Sequence, residues 1–173
     1  EQKCEKMESL NKMTVVVKDN GFGIKNIIIN EPKTYNSLSF KTLNILINIF
    51  RRLENDNKTR VIILSGNGKG FSAGHNLKEV KNLKVRSKSV SYINLCSKLM
   101  LNIVEGRKPV IAKVHGSAFA AGCQLAASCD LAYASIDAKF ATPGVNIGLF
   151  CSTPMVAVSR KIGKKRMMKM LLT

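Results

Sequence analysis

The chain has 173 residues, 45% hydrophobic and 23% charged, with a formal net charge of +17 from 28 Lys and Arg against 11 Asp and Glu. Such a length holds one domain-sized core, and such a balance of apolar and charged residues belongs to folding chains, which excludes a disordered or collagen-like polymer. No apolar run reaches membrane-spanning length, because the Ala-rich stretch from Val110 to Ser135 is broken by Lys113, His115, Gln124 and Asp130.

Alternating β-branched and polar residues predict two strands, Met13 to Val17 and Ile24 to Ile29, joined as a hairpin through Asp19-Asn20-Gly21. Glu31-Pro32-Lys33 ends the second strand. Ser37 or Ser39 is placed to cap a helix whose apolar residues Leu43, Leu46, Ile47, Phe50 and Leu53 share one face. Arg60 to Ser65 is too short and too apolar for a surface helix, so it reads as a buried strand running into the Gly-rich segment Gly66 to Gly74. A helix is expected to start near Asn76 and a second to run from about Ser91 to Val104. Pro109 then breaks the chain before a buried strand over Val110 to Val114, with a turn at Gly116. Small residues from Ala118 to Ser128 suit a tightly packed helix, and Asp130 to Ala134 reads as a strand. Phe140 to Cys151 reads as a loop punctuated by Pro143, Gly144 and Gly148, and two basic helices, Thr153 to Arg160 and Lys164 to Leu172, complete the pattern. Strands alternate with helices throughout, which predicts an α/β domain with its site on the loops at strand ends.

Charge is unevenly placed. Asp137 is the last acid, and Lys139, Arg160, Lys161, Lys164, Lys165, Arg166 and Lys169 follow with no carboxylate among them. A basic chain suits a polyanionic partner, whether nucleic acid or a phosphorylated small molecule. The absence of Trp and an aromatic content of 6% argue against base stacking, so nucleic-acid binding is kept as a rival reading. Five cysteines, Cys4, Cys96, Cys123, Cys129 and Cys151, make an odd set with no C-x-x-C pair, which fits neither a disulfide framework nor a metal site and suits a reducing compartment. Residues 1–12 are expected to be a flexible N-terminal segment ahead of a domain over 13–173.

The segment Gly66 to Asn76, GNGKGFSAGHN, lies between a buried strand and a helix, where backbone N–H groups can be aimed at an anion or a polarised carbonyl. It fits neither a Walker loop, since Gly70 follows Lys69, nor a dinucleotide fingerprint, since Phe71 stands where the third Gly belongs. Gly70-Phe71-Ser72-Ala73-Gly74 satisfies G-x-S-x-G, so a serine hydrolase using Ser72, with Glu79 or Glu105 and His115 as partners, is a second rival. The third reading is an oxyanion hole built from backbone N–H groups, strengthened by a second small-residue helix start at Ala120-Ala121-Gly122.

Pro32-Lys33-Thr34-Tyr35-Asn36-Ser37-Leu38-Ser39, Phe71-Ser72-Ala73-Gly74-His75-Asn76-Leu77-Lys78-Glu79, Lys108-Pro109-Val110-Ile111-Ala112 and Ala120-Ala121-Gly122-Cys123-Gln124-Leu125 with Cys129-Asp130-Leu131-Ala132 together resemble the crotonase, or enoyl-CoA hydratase/isomerase, family from Met13 onward. Within it, Ala121 to Asp130 and Phe140 to Pro154 are most similar to a mitochondrial subgroup and its bacterial relatives. The resemblance implies a ClpP-like spiral of ββα units whose C-terminal helices are truncated here. It further implies a homotrimer or dimer of trimers, a mitochondrial location, and an acyl-CoA or enoyl-CoA substrate in fatty-acid metabolism with no cofactor besides that CoA. By position, the N–H groups of His75 and Ala121 are the oxyanion donors, and Lys33, Ala73, Asn76, Leu77, Lys78 and Gly144 line the substrate path.

Hydratases of this family carry one glutamate where this chain has Gln124 and another where it has Gly144. Loss of a positioned acid–base group lowers the rate by roughly 100- to 10,000-fold, so efficient hydration is not expected, whereas Gln124→Glu with Gly144→Glu is expected to raise it. Gln124 and Cys151 are the remaining catalytic candidates. Gln124 reads equally as a water- or thioester-orienting amide and as a polar residue satisfied at a helix start. Cys151 reads as a nucleophile or, in the plainer alternative, as an inert buried thiol.

Overall fold

The computed structural model describes residues 13–83 and 85–173; the expected flexible segment 1–12 and Cys4 lie outside the described residues. Two sheets organise the chain. The larger has five strands, β1 (Val15–Asp19), β2 (Ile24–Ile29), β3 (Val61–Gly66), β5 (Val110–Val114) and β7 (Leu131–Ala134), in that spatial order. The smaller has three, β4 (Gly70–Ser72), β6 (Ser117–Phe119) and β8 (Lys139–Ala141). β1 and β2 form the antiparallel hairpin that alternation predicted, and every later strand-to-strand ladder among the described residues is parallel. Each turn of the chain thus lays one strand in the large sheet and the next in the small one before a helix returns it. The order β3-β5-β7 beside β4-β6-β8 is a spiral of ββα units.

The helices are α1 (Phe40–Glu54), α2 (Leu77–Lys81), α3 (Arg86–Val104), α4 (Ala121–Ser128), α5 (Ser152–Ser159) and α6 (Lys164–Leu172). Ser39, not Ser37, caps α1, its hydroxyl accepting from Thr42 N–H at 3.1 Å. The face Leu43, Leu46, Ile47, Phe50 and Leu53 is buried against β1 and α3 in the main core. A smaller apolar cluster of Cys123, Cys151, Val158, Met167 and Leu171 joins α4, α5 and α6.

The small sheet is where the sequence reading fails. Its three-residue strands are too short to show a period of two. β4 lies inside the Gly-rich segment, β6 takes Ser117–Phe119 and so displaces the expected helix start from Ala118 to Ala121, and β8 occupies what read as loop from Phe140. A 3-10 turn over Pro143–Ile147 fills more of that stretch. α3 begins at Arg86 instead of about Ser91, because its N-cap Val85 makes no side-chain cap bond and leaves no signal in the sequence.

One side chain ties the opening loop to the rest. Tyr35 and Asn36 both have positive φ, 52° and 55°, a conformation Asn tolerates better than most residues. This turn swings the Asn36 amide into the interior. Its Oδ1 accepts from Glu31 N–H at 2.9 Å, and its Nδ2 donates to the carbonyls of Asn67 and Gly70, each at 2.8 Å. The Asn36 carbonyl in turn accepts from the Ser72 hydroxyl at 2.8 Å. Asn36→Ala would strand three backbone groups, and the expected loss is about 2–4 kcal/mol of stability, read as a lower urea midpoint. Asn36→Gly, which keeps the backbone conformation free, should lose most of that as well, which assigns the effect to the amide.

Candidate functional site

The glycines of the site are there because backbone meets backbone. Gly74, at φ 87°, leads from β4 toward α2, and a Cβ on it would lie 2.7 Å from Phe119 O and 2.8 Å from Ala121 N. A Cβ on Gly122 would lie 2.1 Å from Ser72 O. Only hydrogen fits at either place. The turn carrying His75 and the start of α4 are therefore held in direct contact.

Ala121 is the first residue of α4, so its N–H has no acceptor inside the helix, and the N-cap Ala120 supplies no side-chain cap. Ala120 has φ 48° and ψ −119°, a strained conformation for a residue with a Cβ. Its N–H donates to Ala141 O at 2.9 Å, which fixes the turn to β8. Opposite, the short bridge between Leu38 and His75 is closed by Leu38 N–H donating to Gly74 O at 2.7 Å, so the His75 N–H is not spent on it. The two groups named in advance as oxyanion donors, His75 and Ala121, thus belong to adjoining turns.

Sequence reasoning assigned no role to Tyr92, which organises one of those turns. It is buried on α3. Its hydroxyl accepts from Asn76 N–H at 3.1 Å and donates to Leu38 O, and its ring lies against His75 with centroids 5.1 Å apart. Burial raises the phenol pKa and keeps it a donor. Burial also depresses the His75 pKa, and the ring Nε2 has no hydrogen-bond partner among the described residues.

Gln124 lies one turn into α4 and is 6% exposed. Its Oε1 is buried with no hydrogen-bond partner among the described residues. Cys151 is the N-cap residue of α5, makes no side-chain cap bond there and lies in the smaller apolar cluster, and burial with Cys151 nearby pushes the neighbouring Cys123 thiol up to about 11. Gly144 is buried in the 3-10 turn, where a Cβ would lie 2.6 Å from Leu149 O and 2.8 Å from Cys151 Sγ. Gly144→Glu cannot be made without displacing that turn, which corrects the expectation that the pair of glutamates can simply be restored.

The remaining positions form an outer ring. Asn76 caps α2 through Oδ1, which accepts from Lys78 N–H at 3.1 Å and Glu79 N–H at 3.3 Å. Leu77, Lys78 and Lys33 are exposed. A cavity of about 550 Å³ opens beside the joined turns, with Tyr35, Ala73 and Phe119 as apolar wall and Lys69, Lys139 and Asp137 as charged groups. Ala73 alone of the predicted site residues lines it.

The serine-hydrolase reading fails on geometry. Ser72 is fully buried, its hydroxyl spent on Asn36 O and on accepting Gly74 N–H at 3.2 Å. Its supposed partners are engaged elsewhere or exposed: Glu79 accepts from Phe40 N–H at 2.9 Å, His115 Nε2 pairs with Gly68 O at 2.8 Å, and Glu105 faces solvent. Among the described residues no group of three His, Cys, Asp or Glu is placed to hold a metal ion, and no helix is long and apolar enough to cross a membrane.

Residues 19–173 match the family model described as enoyl-CoA hydratase/isomerase. The chain is 47% identical over 151 residues to the Homo sapiens protein named enoyl-CoA hydratase domain-containing protein 3, mitochondrial, covering 87% of this chain and 50% of that one. It superposes on a crystal structure of an enoyl-CoA hydratase from Mycobacterium smegmatis with TM-score 0.91 and 42% identity, covering 94% of this chain and 63% of the other. For the crystal structure of the human domain-containing protein 3 the values are 0.88, 44%, 92% and 62%. The chain spans about half the length of the curated relatives it matches.

Tyr92→Phe would leave Leu38 O without its donor and Asn76 N–H without its acceptor. The expected loss is about 1–3 kcal/mol in chemical denaturation, with hydrogen exchange at the Asn76 and Leu77 amides accelerated more than at α1. Unchanged exchange there would mean that Tyr92 does not hold this turn.

Proposed function

This chain belongs to the enoyl-CoA hydratase/isomerase family, and from that premise we propose that it binds an acyl-CoA thioester at the joined turns, with the carbonyl oxygen between the N–H groups of His75 and Ala121. The observation that carries the reading is the contact of the two turns, with Gly74 set directly against Ala121 N. Two N–H groups on adjoining turns, one at a helix start, suit a thioester oxygen that gains negative charge. Lys33, Asn76, Leu77 and Lys78 then form the mouth on the CoA side, and their cations suit its phosphates. Ala73 and Gly144 lie deeper.

The reading extends to fatty-acid metabolism in mitochondria, by resemblance to the relatives whose names place them there. A homotrimer or dimer of trimers is part of the proposal. It is supported by the edge strand β7, which leaves Leu131 and Tyr133 exposed beside Ile136, an edge of the kind that partner subunits cover.

Hydration is slow in this reading. The amide of Gln124 cannot exchange a proton near neutral pH, and Gly144 has no side chain. Each missing acid–base group lowers the rate by roughly 100-fold or more. The protein should bind butyryl-CoA and shift the ¹³C=O band of the labelled thioester to lower frequency, while crotonyl-CoA absorbance decays little above background. Gln124→Glu should raise that decay by roughly 100-fold or more and still leave it short of an ordinary hydratase, since it returns one of the two groups. Failure of the infrared band to shift on binding would remove the oxyanion assignment. Wild-type turnover matching an ordinary hydratase would show that the catalytic positions are elsewhere, and retention on immobilised RNA that acyl-CoA does not relieve would favour nucleic acid instead.

A further inference from the structure

We infer that the outward face of α6 is a docking surface for an anionic phospholipid bilayer, with Met168 and Leu172 entering the headgroup layer and the surrounding cations held against its phosphates. The inference goes beyond the thioester reading and uses none of its residues. Met167 and Leu171 seat α6 in the smaller apolar cluster. On its other side Lys165, Met168, Lys169 and Leu172 follow at i, i+3, i+4 and i+7, so they share one outward stripe. Both lysines are exposed, and Met168 and Leu172 are 49% and 59% exposed. Lys164 and Arg166 flank the stripe, and Arg160 and Lys161 stand in the turn between α5 and α6, all of them exposed.

The charge on this face is held at a local cost. Lys164, Lys165 and Arg166 occupy the first turn of α6, and the N-cap Gly163 makes no side-chain cap bond. Cations there oppose the positive end of the helix dipole. Lys165 and Lys169 are like charges at i and i+4, which repel. α5, α6 and the turn between them contain no carboxylate to offset this, and none of the cations makes an ion pair among the described residues. A layer of phosphates relieves both costs together.

The mixture of side chains selects the partner. A second copy of this face would set its cations against an identical set. Nucleic acid would satisfy the cations, but α5, α6 and their turn hold no Phe, Tyr or Trp on which a base could stack, and Met168 and Leu172 would stay in water. A bilayer takes both kinds of group. Its phosphates meet the ammonium and guanidinium groups, and the two apolar side chains enter the boundary between headgroups and acyl chains, with the lysine stems lying along it.

The test is co-sedimentation of the full protein with vesicles of phosphatidylcholine alone and with vesicles in which part of it is replaced by phosphatidylglycerol. The protein should pellet with the phosphatidylglycerol vesicles and stay in solution with the others. Each Lys or Arg near an anionic surface strengthens binding roughly fivefold, so Lys165→Gln with Lys169→Gln should weaken it roughly 25-fold. Met168→Ser with Leu172→Ser keeps every charge and should weaken it about tenfold. All four positions are exposed, so both variants keep the fold. Equal behaviour with the two vesicle types overturns the inference, as does wild-type binding by either variant. Release from the vesicles by butyryl-CoA also overturns it and assigns the cations to the phosphates of that ligand. Tighter retention on single-stranded RNA than on the vesicles overturns it in favour of nucleic acid. Lipid-free self-association that Met168→Ser with Leu172→Ser abolishes overturns it in favour of a second copy.

Discussion

The Asn36 amide is the constraint from which the site follows. It reaches back to Glu31 and forward to Asn67 and Gly70, while the Asn36 carbonyl holds the Ser72 hydroxyl. Neighbouring backbone bonds extend the same seam, with Ala73 N–H donating to Tyr35 O at 2.9 Å and Leu38 N–H to Gly74 O. The opening loop thus fixes the exit of β4, and the exit of β4 fixes where His75 stands. In a buried setting each of these bonds is expensive to leave unmade. The seam is therefore specified by several groups at once, and a local change at Asn36 propagates to the proposed site through bonds already formed.

On the other side of the site, contact replaces hydrogen bonding. Gly122 presses on Ser72 O, Gly74 on Phe119 O and Ala121 N, and Gly116 would place a Cβ 2.1 Å from Lys69 O. The spiral brings β4 and β6 together at the same level in successive turns, and their exits can touch only where side chains are absent. Ala120 accepts a strained backbone at that level. Its bond to Ala141 and the packing of Gly74 beside it over-determine its conformation. Strain at the start of α4 is the counterpart of its N-terminal N–H groups being free of local caps.

Much of the large sheet and of α1 was legible because burial leaves a period. Leu43, Leu46, Ile47, Phe50 and Leu53 recur at helical spacing, and Val61–Gly66 and Val110–Val114 are apolar runs of strand length. β4, β6 and β8 were not legible because three residues hold no period, and their identity comes from pairing with strands tens of residues away. The same division holds at the site. Gly74, Ala121 and Gly122 stood out as small residues in motif positions, and in the structure they stand at close backbone contacts. Tyr92 did not stand out, since in sequence it is one more apolar-face residue of a helix. Its hydroxyl matters only because folding brings Leu38 and Asn76 to it.

Gln124 and Gly144, the two positions the sequence resemblance set against hydratase glutamates, differ in physical kind. Gln124 is nearly the same shape as glutamate, so the helix around it needs no adjustment and its amide remains a hydrogen-bonding group at the same place. Gly144 is another matter. Leu149 O and Cys151 Sγ occupy the space a Cβ would need, and Leu149 N–H donates to Gly144 O at 2.9 Å, so the turn is closed around Gly144. Cys151 continues into the apolar cluster of Val158, Met167 and Leu171. A carboxylate at 144 would have to reopen the turn and disturb the cluster behind it, so the local backbone itself is built around a residue with no side chain there. The retained amide and the closed turn point the same way: in the proposed reading the site keeps what holds a thioester and has given up part of what would turn it over.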